Sequence, residues 1–355
     1  MTDIMHFLQT PPVAARRRQA GLTLVELMIS MAIGLILVAG IATLIARQSS
    51  SRAELEKTNR QIENGRYALT LLQEDIQHAG FYGQYIGALP ALAALPDPCS
   101  TSAADIDAAL AMLLQGYDAP ASVPAPLSTC LPDANHIPGT DILVIRRLEA
   151  TDALPTIATL VAGQIYVQTT PSDKVTALGP DPTPATPSVY TLKQKDATTP
   201  AQLRRFVEHI YFLSPCNVYA SGATACTSAA DNGRPIPTLK RLEMSVTAGA
   251  TALITVPLVE GIENLQLDYG IDATGDGTPA TPYITAPTIA NWPNVMSVQV
   301  TLLARNTEPS SGHDDGTKIY NMGAGGTVGP FSASPYKRHV YSANVRVINP
   351  SGQRE

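Results

Sequence analysis

Glu26 is a carboxylic acid inside an otherwise apolar run, residues 22–46, which reads LTLVELMISMAIGLILVAGIATLIA. A carboxylate at that depth of a membrane costs at least about 2.5 kcal/mol, so it requires a cationic partner or a polar cavity. If the chain is cut after Gly21, a new α-amino group appears at Leu22, on the helix face that carries Glu26. The spacing predicts that the amine of one subunit neutralises Glu26 of another subunit in an assembly.

The apolar run contains about 25 residues, which is long enough to cross the hydrocarbon core of a membrane as a helix. Arg16, Arg17 and Arg18 precede it, so the positive-inside rule places the N-terminus in the cytoplasm and the chain beyond Arg47 outside the inner membrane. An ordinary secretory signal has a shorter apolar run, followed by small residues at its cleavage site. A plain membrane anchor explains the run and the arginines but leaves Glu26 unexplained.

Residues 21–29, GLTLVELMI, resemble the class III signal of type IV pilins and type II secretion pseudopilins. In these proteins a membrane aspartyl peptidase cuts after the glycine and N-methylates the new first residue. That residue is Leu22 here, where phenylalanine is usual, and the glutamate at the fifth mature position corresponds to Glu26. The resemblance implies processing between Gly21 and Leu22 and a role for Glu26 in subunit assembly.

Residues 47–80 are predicted to continue the helix as an amphipathic segment that stops at Gly80. Gly65 is a possible weak point or bend in it. The segment could form a coiled coil with another chain or pack on the chain's own head, and the lack of strong charge pairing favours the second. Its apolar residues recur every seven positions, at Leu55, Ile62, Leu69 and Ile76.

Two further stretches narrow the resemblance to the PilW family of minor pilins. NGRYALTLLQEDIQHAGFYG, residues 64–83, is similar to the end of the long helix in that family. VEGIENLQLDYGIDATGDG, residues 259–277, and NWPNVMSVQVTLLARN, residues 291–306, are similar to a later turn and strand. The middle of the chain carries no such motif.

The resemblance implies a minor pilin of the type IV pilus system that primes pilus assembly, joins a complex at the pilus tip and supports twitching motility and adhesion. It implies the major pilin, other minor pilins, a tip adhesin, the inner-membrane assembly platform and the prepilin peptidase as partners. Membrane lipid surrounds the helix before assembly, while the head lies in the periplasm. The net charge of −6 provides no basic face, so direct nucleic-acid binding is not expected.

Two other functions stay open. A type II secretion pseudopilin shares the N-terminal signal, although the PilW-like stretches favour the pilus. A membrane-anchored periplasmic enzyme or binding protein would need no cleavage after Gly21. The sequence contains no HExxH, P-loop or GxSxG motif, so we expect the chain not to be an enzyme and name no catalytic residue.

The whole chain predicts an α+β fold, in which the long helix packs on an antiparallel β-sheet. The predicted domains are the leader 1–21, the transmembrane or filament-core helix 22–46, its continuation 47–80, an Ala- and Pro-rich insertion 81–140 and a β-rich head 141–355. Alternating apolar residues predict strands at 141–150, 163–170, 188–195, 204–214, 239–247, 253–272, 295–306 and 337–349. We also predict a short helix at 103–114 and an exposed loop at 171–187.

The cysteines lie outside the apolar run, and none forms a CxxC motif. An even number of cysteines fits an exported domain with disulfides. Three pairings are possible; the short loop favours Cys216–Cys226, which leaves Cys99–Cys130. Buried free thiols are the alternative.

Asp272, Thr274 and Asp276 place oxygen atoms at alternate positions, as at the start of a calcium loop. The match is partial, because Tyr283 stands where such a loop needs a bidentate glutamate. An Asp- and Gly-rich hairpin turn explains the same residues more simply. We therefore expect no cofactor and keep calcium as a weaker hypothesis.

Overall fold

A computed structural model describes residues 21–151, 160–179 and 189–352. Arg16, Arg17 and Arg18 lie outside these residues, as do residues 180–187 of the predicted loop 171–187. The chain divides into two compact units, Met1–Leu55 and Glu56–Glu355.

The longest element is helix α1, Leu24–His78, with 55 residues. It ends where Gly80 adopts a left-handed φ of 71° and donates its N–H to the carbonyl of Arg146. Gly80 is therefore the stop that the sequence predicts. The other helices are short: α2 at Ala103–Ala109, α3 at Ala230–Gly233 and α4 at Ile348–Gly352. Turns of 3-10 helix lie at Leu127–Thr129, Asp133–Asn135, Trp292–Asn294 and Gly323–Gly325.

A seven-stranded antiparallel sheet forms the larger part of the head. Its strands are β1 Leu114–Tyr117, β2 Ile142–Leu148, β3 Ile165–Thr169, β4 Lys174–Leu178, β5 Gln202–Ser214, β6 Thr238–Thr247 and β7 Ala250–Glu260. The long strand β5 is central, because it pairs with β2, β3 and β6. Strand β1 pairs with β2, β4 with β3, and β7 with β6.

A second antiparallel sheet has the strand order β12-β9-β8. Its strands are β8 Ile262–Ile271, β9 Val295–Arg305 and β12 Arg338–Arg346, and the small hairpin β10 Tyr320–Asn321 with β11 Thr327–Val328 precedes β12. The backbone N–H of Asp141, just before β2, donates to the carbonyl of Leu265 in β8, which links the two sheets. The α+β class predicted from the sequence is confirmed.

The main core lies between α1 and both sheets. Ala68, Leu72 and Ile76 of α1 are fully buried there together with side chains such as Tyr211 of β5 and Val300 of β9. The amphipathic segment thus packs on its own head, as predicted. The apolar stripe named from the sequence is wrong in detail, however, because Leu55 is exposed and Ile62 and Leu69 are only partly buried.

A second core lies on the other face of the large sheet and is covered by the segment 81–140. Leu127 and Leu131 of this segment pack there with Val144 of β2 and Ile210 of β5. Because both faces of the sheet are covered, β2 is buried along nearly its whole length and β5 is buried from Phe206 to Ser214.

The predicted helix 103–114 is too long, because α2 ends at Ala109 and Leu114 begins β1. Residues 111–114 alternate between partly and fully buried, a pattern of extended chain rather than helix. The segment 81–140 therefore supplies an edge strand of the large sheet in addition to the predicted loop and helix.

Three strand predictions also need correction. Residues 171–187 include β4, which returns beside β3 after a tight turn between Thr170 and Asp173. Residues 189–195 form no strand beyond one bridge, because the Asp196 carboxylate accepts two backbone N–H groups and turns the chain. The single predicted strand 253–272 is two strands, β7 and β8. Between them Gly261 has a φ of 78° and approaches the β9 backbone so closely that a Cβ would lie 2.6 Å from the Arg305 carbonyl oxygen.

Candidate functional site

The N-terminus of α1 carries a reciprocal pair of hydrogen bonds between Thr23 and Glu26. The backbone N–H of Glu26 donates to Oγ1 of Thr23, and the backbone N–H of Thr23 donates to Oε2 of Glu26, each over 3.2 Å. The Thr23 hydroxyl also donates to Oε2 over 3.2 Å. This is a capping box, which supplies acceptors to backbone N–H groups that have no partner within the helix. The capping box is not among the sequence predictions, although the T-x-x-E spacing of Thr23 and Glu26 is visible in the sequence.

Gly21 and Leu22 precede α1 without regular structure, and the Leu22 side chain is 79% exposed. The peptide bond between them is therefore accessible in a single chain. The Gly21–Leu22 bond directly precedes Thr23, whose side chain caps the first turn of α1 together with Glu26. Cleavage there and the interaction of the new amine with Glu26 stay predictions.

Helix α1 contains an 18-residue window with a mean hydropathy of 2.5, and it is the one helix among the described residues that is long and apolar enough to cross a membrane. This finding rests on length and composition only. Polar side chains within the apolar run bond to the helix itself: Ser30 donates to the Glu26 carbonyl over 2.7 Å, and Thr43 to the Gly40 carbonyl over 2.8 Å. Such bonds lower the cost of a hydroxyl group in lipid.

A different set of contacts attaches the later part of α1 to the head. The Gln61 side chain donates to the carbonyls of Ala304 and Lys337 over 2.9 and 3.1 Å. Asn64 donates to the Glu260 carbonyl over 3.0 Å. These amides bind strand-end carbonyls, so they hold the helix in one register on the head.

Gly65 lies directly against Tyr341 of β12. A Cβ built at Gly65 would lie 2.3 Å from Cε2 of Tyr341, well inside any van der Waals contact. Gly65 is therefore required for close packing of helix on strand, and α1 continues through it as one helix. The predicted bend at Gly65 is wrong, because the missing side chain serves packing rather than flexibility.

Asp75 is the centre of a buried polar cluster between α1 and the large sheet. Its Oδ1 accepts a hydrogen bond from Nε of Arg147 over 2.8 Å, and its Oδ2 accepts from the Tyr211 hydroxyl over 2.8 Å and from Nδ1 of His209 over 2.5 Å. Burial alone would raise the pKa of Asp75, but the bonds and charges of His209 and Arg147 hold it well below its usual range. The ionised carboxylate thus fastens the end of α1 to β2 and β5.

A second buried ion pair lies on the other face of the same strands. Nε of Arg146 donates to Oε2 of Glu208 over 2.5 Å, and Nη1 of Arg146 donates to the Met112 carbonyl and to Gln115 over 3.1 and 3.0 Å. Burial raises the pKa of Glu208 to about 7, against the lowering effect of Arg146. This pair ties the segment 81–140 to the sheet. Neither this pair nor the pair of Asp75 with Arg147 is among the sequence predictions.

The structure contains disulfides between Cys99 and Cys130 and between Cys216 and Cys226. This is the pairing that the sequence favours, and no described cysteine is free. The first bridge packs against the core under the segment 81–140, and the second closes the loop between β5 and β6.

The Asp272 turn is held by backbone bonds. The Asp272 carboxylate is buried and accepts N–H groups from Thr274, Gly275 and Gly277 over 3.1, 2.6 and 2.9 Å. Asp276 accepts the N–H of Thr278 over 2.9 Å. Donors at these distances occupy the carboxylate positions that a cation would need. No group of three His, Cys, Asp or Glu residues suited to a metal ion occurs among the described residues.

A long N-terminal helix with an apolar first half, followed by an antiparallel head, is the architecture that the resemblance to type IV pilins implies. The comparisons agree: the model of type IV pilus-assembly protein W (PilW) matches residues 225–349, and the prokaryotic N-terminal methylation motif matches residues 16–42. These matches confirm the resemblance to a PilW-family pilin with a prepilin signal. They support a minor pilin related to the type IV pilus, anchored in the membrane by its helix. No curated protein matches the chain.

Proposed function

We propose that this chain is a minor pilin that primes assembly of the type IV pilus and enters the complex at its tip, and that it thereby supports twitching motility and adhesion. The observation that carries the proposal is the joining of two features in one chain. Glu26, which forms a capping box with Thr23, lies just after the accessible Gly21–Leu22 bond, and a PilW-like head follows the same helix.

The mechanism begins in the inner membrane, where lipid covers the apolar side chains of residues 22–46, nearly all of them exposed in the single chain. The head lies in the periplasm. Prepilin peptidase cuts after Gly21 and methylates Leu22, which leaves a cationic amine. In the assembly this amine lies beside Glu26 of a neighbouring subunit, so that a charge that is costly in lipid becomes half of an ion pair.

Before assembly, Thr23 gives Glu26 a partner within its own chain. The capping box supports the proposal because it gives the Glu26 carboxylate hydrogen-bond donors from its own chain before an amine from another subunit reaches it. Other minor pilins, the major pilin, a tip adhesin and the assembly platform are the proposed partners.

Deletion of the gene tests the proposal against its rival. We expect loss of surface pili and of twitching, with protein secretion unchanged. Intact pili together with blocked secretion would instead identify a type II secretion pseudopilin.

Mass spectrometry of the mature N-terminus tests the processing step. We expect a chain that begins at a methylated Leu22. An intact Met1, or a cut at a later signal-peptidase site, would favour a membrane-anchored enzyme or binding protein.

A further inference from the structure

Strand β7 is the longest described strand that pairs on one side only, with 11 residues. Exposed strand edges are usually short or charged, because their free backbone groups can pair with another chain. The other edges of the two larger sheets follow this rule: β1 and β4 have 4 and 5 residues, β8 carries Glu263 and Asp268, and β12 carries Arg338, His339 and Arg346. Strand β7 has no charged residue from Ala250 to Val259.

The turn before β7 determines which of its backbone groups face outward. Ala248 and Gly249 have left-handed φ values of 51° and 81° and form a two-residue hairpin turn closed by Thr247 and Ala250. In such a hairpin the closing pair is hydrogen-bonded, and the pairs alternate from there. The N–H and C=O groups of Thr251, Leu253 and Thr255 therefore point away from β6.

No hydrogen bond from the described residues reaches these outward backbone groups. The Gly163 backbone lies against the turn at Gly249, and its carbonyl accepts a hydrogen bond from the Thr251 hydroxyl, but it leaves the Thr251 backbone groups unbonded. Pro257 belongs to the same outward series, which fits its lack of an N–H group. The pairing of β6 with β7 shifts register between Leu239 and Lys240, opposite this proline. Together the proline and the register shift end the usable edge, so the open stretch is 251–256, about 20 Å long.

The side chains along the open stretch are uncharged, and most are β-branched or aliphatic. Ile254 is 37% exposed, and Thr255 is exposed on the opposite face. Such residues favour an added strand with uncharged, alternately apolar side chains. Strand β7 also lies inside residues 225–349, the part of the chain that matches a pilus-assembly family.

We propose that the open edge of β7 binds an extended segment of another pilus subunit, which adds to the large sheet as an eighth strand. The geometry requires an extended partner, because only a strand presents N–H and C=O groups in the matching alternation. The identity of the partner as a pilus subunit rests on the proposed function. The edge itself rests on the backbone of β7.

Photo-crosslinking in cells tests this with the full-length chain, carrying a photoreactive residue at Thr251 or, separately, at Thr255. We expect ultraviolet light to link the chain to a second pilus subunit, identified by mass spectrometry. The two probes should label positions four residues apart in one extended segment of that partner. A link to a second copy of this chain, or no link from either position, would overturn the proposal.

A proline at the edge provides the matched control. Thr255→Pro removes one outward N–H and should reduce crosslinking from Thr251 about tenfold, whereas Thr255→Val keeps the N–H and should preserve crosslinking. Ile254→Lys places a charge on the open stretch and should likewise reduce crosslinking, without changing the backbone of β7.

Cleavage after Gly21 and resistance of the head to protease are measured in every variant. If crosslinking fails while the unsubstituted chain still enters pili, the edge hypothesis fails and the proposed function stands.

Discussion

Helix α1 has two parts that differ in what their side chains contact, although the helix is continuous. Residues 24–46 expose apolar side chains and satisfy their few polar groups within the helix, as Thr23 and Glu26 do. Residues 61–76 bury Leu72 and Ile76 together with small and polar residues, including Gln61, Gly65 and Asp75, against the head. The first part therefore leaves its apolar side chains available for lipid and, as we propose, for other subunits, whereas the second part packs on the head of its own chain.

The largest expected effect comes from Glu26. We predict that Glu26→Val leaves cleavage and membrane insertion largely intact but abolishes recruitment into pili, because the Leu22 amine of a neighbour then meets no carboxylate. Quantitative immunoblotting of sheared pili measures this.

Glu26→Gln is the matched control, because glutamine retains the capping box but carries no charge. If recruitment of the Gln variant were normal, capping rather than charge would be the role of Glu26. Normal recruitment of both variants would remove Glu26 from the assembly mechanism.

Asp75 lies in the part of α1 that packs on the head, where its carboxylate binds Arg147. We predict that Asp75→Asn lowers the free energy of unfolding by about 3 kcal/mol, since it breaks a buried ion pair and leaves Arg147 without its carboxylate. Thermal unfolding of the full-length chain in detergent measures this.

The same residue gives a pH dependence with a definite sign. Because the pKa of Asp75 is lowered in the folded state, its stabilisation is present above the unfolded pKa of about 4 and is lost as the pH falls below that value. Asp75→Asn should remove this acid-sensitive component. An unchanged acid profile would show that the cluster is not ionised as described.

Gly65 tests the close approach of helix and strand. We predict that Gly65→Val destabilises the head by about 1–3 kcal/mol, because its side chain would overlap the Tyr341 ring. In the double variant with Tyr341→Ala the added cost should shrink, which separates a steric clash from loss of helix propensity. Additive effects would contradict the proposed contact.

The Asp272 turn, which is remote from α1 in sequence, tests the calcium hypothesis, for which we expect no effect. Asp272→Ala should cost about 1–3 kcal/mol through loss of its acceptors for backbone N–H groups. We expect millimolar calcium to leave the melting temperature of the unsubstituted chain unchanged. A calcium-dependent rise that Asp272→Ala abolishes would instead establish the calcium site.

Local patterns in the sequence predicted the elements that depend on neighbouring residues. Alternating apolar residues located β5, β6 and β9, and Gly80 located the end of α1. The errors arose where a contact from elsewhere decided the conformation. Gly261 divides a continuous apolar stretch because the β9 backbone passes beside it.

The buried face of α1 was harder to predict for a related reason. A heptad of large apolar residues is the usual sign of a packed face, whereas this face combines Leu72 and Ile76 with a glycine, an alanine, an aspartate and a glutamine. The contribution of Asp75 to stability depends on partners far along the chain: Arg147, His209 and Tyr211 lie 72, 134 and 136 residues from it. No local pattern contains that information.

The sequence by itself determined the processing signal and the membrane helix, because both depend on residues within about one span of one another. The predicted roles of Gly21, Leu22 and Glu26 follow from their spacing and from the free-energy cost of a charge in lipid. The tertiary structure alone decided which face of α1 is buried, how Asp75 and Glu208 are paired and which strand edge stays open. Those properties arise only when distant segments are brought together and must satisfy one another's polar groups.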